Sequence, residues 1–247
     1  MYRFVVGAVS VLAVVVGVIL PESLPGSPTP DGPRLQVGAQ ERPASGLDTA
    51  SSAIPTSEIP TVTDSAQWTV RTRSVGAKAV ASSVATSNCD GCAGRSTVFQ
   101  VVYFDGDGAV AADNTAAAWS SCSGCASSAV SVQLVLARRA KPLTVNNRAV
   151  ALNVNCVECT TTSAAIQFVV VGGSRRDLSS QAKALIAQIQ AQLSDRLAPA
   201  APSGGARLRG QDAKGLVEDT ASRLAAIILS DIGATVTQRS IDVQVGQ

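Results

Sequence analysis

Six cysteines carry most of the chemistry this chain offers, and they come in three pairs of identical spacing: Cys89 and Cys92, Cys122 and Cys125, Cys156 and Cys159. Thiols at that spacing can close a tight disulfide, shuttle electrons, or supply half of a four-thiolate zinc site. Successive pairs are separated by 33 and 34 residues, and eight residues after each pair stands a glutamine: Gln100, Gln133 and Gln167. One step of 33 before Gln100 lies Gln67, within Ala66 to Val70, where the cysteine positions are empty; this reads as a half-repeat capping the array. Two spacings recurring together mark a tandem repeat whose units fold alike.

The repeat bears on how the thiols pair. Six cysteines allow fifteen connectivities, but identical units should close identically, and three motifs cannot be joined two by two without leaving one out. The expectation is therefore three bridges within the motifs, serving structure. A redox role would place the motif at a helix N-terminus, where the dipole lowers a thiol pKa; strands are expected here. A zinc site would use two pairs and strand the third. The glutamines are read as amides tying neighbouring strands or turns together, with ligand donation from an exposed face as the alternative. Asp105 to Gly108 has the start of a calcium loop without its bidentate glutamate and reads as a turn. Trp68 and Trp119 read as packed strand aromatics rather than sugar-stacking platforms.

Composition narrows the rest. Not one of the 247 residues is histidine, which removes the commonest general base, the commonest proton shuttle and a principal zinc ligand. Aromatics make up 3% and charged residues 15%, so the core must be built from small and β-branched side chains, a composition that leans toward strands. The net charge of +2 is spread along the chain, without the basic, aromatic-interleaved clusters of a nucleic-acid groove. No cofactor and no metal are expected, and the cysteine and glutamine positions are assigned no catalytic role.

The elements that must position these residues follow from the period. Each repeat reads as strand, turn, strand: Lys78 to Ser87 alternates small and polar residues, and Ser96 to Phe104 is β-branched and aromatic. Asp-Gly and Ser-Gly at the centres of the first two motifs are two-residue hairpin signals, from which Val157-Glu158 departs. The expected fold is mainly β with C-terminal helices (α+β): an antiparallel meander of about seven strands in 33–34-residue hairpin repeats, with a short two-sheet β-solenoid as the alternative. After Gly173 the period changes. Asp177 or Ser179 caps a helix whose stripe runs from Leu178 to Leu197, a second helix spans about Asp212 to Asp231, and Val236 to Val245 is a possible terminal edge strand. The helices are expected to cover one face of the sheet.

The N-terminal third is of another kind. Arg3 precedes 17 uncharged, mostly apolar residues, Phe4 to Leu20, with no further positive charge until Arg34. As a helix this run reaches roughly 26 Å, near the thickness of a bilayer core, and the positive-inside rule sends everything after it outward. The expectation for residues 1–20 is an uncleaved signal anchor, with a cleaved signal peptide, and hence a secreted chain, as the alternative. Residues 21–65 hold eight of the eleven prolines and read as a disordered Pro/Ser/Thr-rich linker. The β-repeat domain is then expected at 66–173 and the helical cover at 174–247.

At the repeat residues the chain resembles a class of exported actinobacterial proteins of unknown function, with tandem units of the form Ala-x-Ala, Cys-x-x-Cys, a strand and Gln. Similar units occur in exported parts of chains labelled peptide zinc metalloproteases. The resemblance covers about Ala79 to Val171 and the helix after it, and implies an envelope-facing module. No protease activity carries over, because the His-Glu-x-x-His helix needs histidines this chain lacks. The functional expectation is a membrane-tethered or secreted cell-envelope domain, non-enzymatic, used for binding or assembly with an unidentified envelope protein or ligand and attached to the membrane by its N-terminal segment. An extracytoplasmic thiol-disulfide protein is the alternative.

Overall fold

The computed structural model describes residues 47–139, 142–172, 177–197 and 210–246; the expected N-terminal anchor and the first half of the expected linker lie outside them. The strand order is β1 (Thr49–Ala53), β2 (Thr61–Thr72), β3 (Lys78–Ser87), β4 (Ala93–Phe104), β5 (Val110–Ser120), β6 (Ala126–Ala137), β7 (Leu143–Asn153) and β8 (Thr160–Val171). Two helices follow, α1 (Ser180–Leu197) and α2 (Gly210–Ile232), and then β9 (Val236–Val245).

The strands wind into a β-solenoid of about four turns. Odd strands form one sheet, β1-β3-β5-β7, here sheet A; even strands form sheet B, β2-β4-β6-β8, closed at its far edge by β9. All pairs are parallel except β8 with β9. The antiparallel meander is thereby overturned in favour of the two-sheet solenoid. The strands flanking each Cys-x-x-Cys motif do not pair with one another; they lie in opposite sheets, and the motif is the corner between them. Composition explains why. Strands β6 and β8 are buried along nearly their whole length on both faces, the pattern of a parallel sheet covered on each side. The facing strands β3 and β5 alternate small inward residues with half-exposed outward ones.

Small inward residues let the two sheets approach closely. Ala85, Ala116, Ala118, Ala129, Ala149 and Ala165 form one cluster in the sandwich, and Val102, Phe104, Val110, Val135 and Val169 fill its wider end. At the narrow end only glycine fits at position 94: an added Cβ would come within 2.7 Å of the Thr86 carbonyl oxygen and 3.1 Å of that of Ala53.

A second core lies on the outer face of sheet B. There Val132, Leu134, Ile166 and Phe168 meet the apolar stripes of both helices, Ile186 and Leu193 from α1 and Val217 and Leu224 from α2 among them. Ser179 supplies the cap of α1, its Oγ accepting from the Ala182 amide at 3.1 Å, and it also donates to Asp231 at the end of α2. The Leu178 amide donates to Tyr103 Oη at 2.8 Å, anchoring the start of α1 on sheet B. The molecule is thus three layers deep: sheet A, sheet B, helices.

Two expectations about extent are corrected. The linker was expected to run to residue 65, yet β1 and the start of β2 fall inside it. Thr49, Ser51 and Ala53 are the inward, buried residues of β1, so a segment without one large apolar residue pairs in a core scaled to alanine and serine. The half-repeat before the first motif is real as a coil, but Gln67 does not head the glutamine column. Gln67 stands opposite Phe99, and Trp68 opposite Gln100. The corner from Thr72 to Ala77 contains four residues where those after Phe104 and Ala137 contain five, so the first step is 32 residues and a count of 33 lands one position off. A one-residue slip turns a side chain to the opposite face.

Candidate functional site

The three Cys-x-x-Cys corners stack at one end of the strands. Each pair forms a disulfide within its motif, with Cα separations of 5.4, 5.9 and 5.9 Å, inside the ordinary range for such bridges. Cys92, Cys125 and Cys159 are buried, and both sulfurs of the third bridge lie 3.0 Å from the carbonyl oxygen of Cys122 in the coil before. The backbone stacks with them: the Gly91 amide donates to Ser123 O and the Gly124 amide to Val157 O, each at 2.8 Å. In the first corner the Cys92 amide returns to Cys89 O at 3.0 Å, and Gly91 takes φ +70°, the left-handed residue that such a turn requires. Gly124 and Glu158 occupy the same place with φ +65° and +56°. Sequence set Val157-Glu158 apart; the backbone does not. The extra residue of the 34-residue step is Asn155, which also adopts a positive φ, 51°.

Running through the sandwich, Gln100, Gln133 and Gln167 form a buried column. Gln133 Nε2 donates to Gln100 Oε1 at 2.7 Å and Gln167 Nε2 to Gln133 Oε1 at 2.6 Å. The second hydrogen of each amide crosses to a backbone carbonyl of sheet A: Val80 for Gln100, Asp113 for Gln133, Ala112 for Gln167. The column stitches coil to coil and sheet to sheet at once. Because all three side chains are buried, they serve the interior and offer no exposed ligand donors. Gln67, exposed on the outer face of β2, takes no part.

A second column went unread in the sequence. Asn114 Nδ2 donates to Asn147 Oδ1 at 2.7 Å and to the carbonyls of Ser131 and Ile166 across the sandwich, while Asn147 reaches Ala165 O. The 33-residue interval between Asn114 and Asn147 carried the signal. Also unread were three aspartates that accept edge amides of sheet A: Asp48 from Val80, Asp64 from Ser52 and Asp242 from Ala149.

What remains accessible is the outer face of sheet A. Its side chains come in rows fixed by the parallel register, Thr86, Trp119 and Leu152 in one and Val84, Ala117 and Val150 in the next. Trp119 is 39% exposed and Leu152 53%. Both tryptophans expected to be packed are thus exposed, Trp119 within a row on sheet A and Trp68, at 44%, on the terminal coil. Toward the other end of the face Asp113 pairs with Lys78 at 2.6 Å and accepts from Asn146 at 2.8 Å. Partial burial pushes the Asp113 carboxyl up, but Lys78 and Asn146 outweigh it and hold it below the ordinary carboxylate range. Among the described residues there is no cluster of His, Cys, Asp and Glu able to hold a metal ion, and no helix long and apolar enough to cross a membrane.

No family model matches the chain, and comparison with curated proteins and with solved structures likewise returned no match.

Proposed function

We propose that this chain is an exported, membrane-tethered module for binding or assembly, built as a disulfide-stapled β-solenoid whose working surface is the outer face of sheet A. The observation that carries the reading is the division of labour between faces. Sheet B is covered by helices and its inward glutamines hold the coils together, whereas sheet A presents exposed Trp119 and Leu152 on a face with no described element packed across it. Exposed aromatic and aliphatic groups in one row mark interaction surfaces.

Export is supported by the bridges and by the N-terminal pattern. Three disulfides persist where the compartment is oxidising, and Arg3 followed by an apolar run matches outward translocation. A structural role for the bridges, rather than turnover, is supported by their setting. Strands flank each motif in place of a helix N-terminus, and the motifs themselves carry Asp90 and Glu158, whose negative charge would disfavour a thiolate.

The test uses the full chain in its cell envelope, with a photo-crosslinking residue at position 119 or 152 and a control at Lys183 on α1. Adducts at the first two positions and none at the third are expected. Absence of adducts at either, or efficient reduction of insulin by the purified protein, overturns the reading, the second in favour of thiol-disulfide exchange. Fractionating cells and sequencing the N-terminus of the mature protein checks the tether: a soluble species beginning beyond Leu20 removes it.

A further inference from the structure

We infer that the partner of the sheet A face is the same face of a second copy, in a symmetric dimer whose twofold axis lies between the two sheets, parallel to the strands and midway between β3 and β5. The inference rests on the reading of sheet A as the working surface and names its occupant.

The apolar row is the starting point. Thr86, Trp119 and Leu152 are side by side on β3, β5 and β7. Ile54 follows directly on β1, where the register continued by one residue sets it beside Thr86, and it is 58% exposed. Across the sheet the sizes run large, small, very large, large.

A rotation about the strand direction lays this row on its own reverse. Trp119 of each copy then sits over Thr86 of the other, and Leu152 over Ile54. The bulkiest side chain meets the smallest and the two aliphatics meet each other, as close packing demands. In the neighbouring row Val84 faces Ala117, again large on small. A rotation about the row itself would instead set Trp119 on Trp119.

Charge follows the same operator. Arg148, in register with Thr115 on the edge strand β7, has no ion pair among the described residues. Reversal brings it against Ala50 of the other copy, one row from Asp48, whose carboxylate accepts the Val80 amide and puts a negative charge at that edge. The surface is also large enough. Three strands of about ten residues and the five-residue β1, at ~4.8 Å spacing and ~3.3 Å per residue, span roughly 550 Å² per copy, about 1,100 Å² for the pair, just above the ~1,000 Å² a specific interface must clear. Twisted sheets pack face to face with their strand directions within about 30° of each other, as this arrangement requires.

The experiment is light scattering coupled to size exclusion on the full chain in detergent, with the micelle mass subtracted. A dimer is expected, and Trp119→Asp should weaken it at least tenfold while the far-UV circular dichroism of the folded chain stays unchanged. Should that variant misfold, Thr86→Arg serves: position 86 is half exposed, and an arginine there collides only with Trp119 of the other copy. Arg148→Asp should weaken the dimer severalfold, and Arg148→Lys should not. A monomer at ~100 µM, a dimer indifferent to Trp119→Asp and Thr86→Arg, or Trp119-dependent binding to phosphatidylglycerol vesicles by a monomer would each overturn the proposal. Failure here and failure of the wider reading are separable. Crosslinks from position 119 to a different protein sink the dimer but keep the binding module, whereas no crosslinks at all sink both.

Discussion

Glu158 holds a backbone position that glycine holds in the other two corners. A side chain in the left-handed region costs about 1–2 kcal/mol relative to right-handed backbone, and at Gly91 and Gly124 an added Cβ would meet nothing within 4 Å, so conformation alone decides. Glu158→Gly should therefore stabilise the protein by about 1 kcal/mol, read as a rise of about 2–4 °C in melting temperature, and Gly124→Glu should lower it by a similar amount. The glutamines give the opposite contrast. Gln133 is the middle of the column, and Gln133→Leu would leave Gln100 Oε1 without its donor and take from Gln167 one of its two acceptors. Buried groups left unpaired cost about 1–3 kcal/mol each, so urea unfolding should show a loss of about 2–4 kcal/mol. Gln67→Ala, on the exposed face of β2, should fall within about 0.5 kcal/mol. Equal losses at 67 and 133 would mean the column does not bear the stability assigned to it. Recurrence made Gln100, Gln133 and Gln167 legible as a packing register; it misplaced Gln67 because the length of one corner, invisible to a count of fixed steps, decides which face a residue meets.

Elements are less legible in the sequence than single residues are. Strand positions and both helices were recoverable from period and composition, but pairing was not, since Asp-Gly and Ser-Gly serve a corner between two sheets as readily as a hairpin. The better signal was burial on both faces: the nearly unbroken small and apolar runs of β6 and β8 belong to a covered parallel sheet, whereas a meander with one wet face would alternate. The helices and β9 supply that cover. A chain ending at Gly172 would expose Val132, Leu134, Ile166 and Phe168 and leave β8 an open edge. It should bind a hydrophobic dye, aggregate on concentration and lose its cooperative melt; a soluble fragment with a sharp transition would show the cover to be dispensable. Tyr103 is the local seam between the layers. Tyr103→Phe removes the acceptor of the Leu178 amide and should cost about 1 kcal/mol without disturbing the solenoid.

At the scale of the whole molecule a stack of coils has two ends, and each is an invitation to further pairing. The outer edges of β2 and β9 both belong to sheet B and lack a strand partner among the described residues. Sheet A is defended: Asp64 occupies the Ser52 amide at one end and Asp242 the Ala149 amide at the other. Stacking two molecules head to tail would bring these carboxylates toward one junction, where like charges oppose. Replacing both, Asp64→Ala with Asp242→Ala, should remove the barrier and yield elongated, thioflavin-positive particles at concentrations where the parent protein stays dispersed. Particles of unchanged size by dynamic light scattering would show the carboxylates to be incidental.

The glutamine column has one more property, which is that it repeats in register. Each of the three coils that carry Gln100, Gln133 and Gln167 presents the next with an amide, a disulfide corner and two strand edges, so this part of the fold is a ruler graduated in units of about 4.8 Å. Duplicating residues 93–125 in tandem would splice in a coil whose contacts above and below already exist, lengthening the solenoid by one graduation and carrying Trp119 with it as an additional mark on the exposed face. Reach, and the number of such marks, are then quantities this architecture can change by copying what it already has.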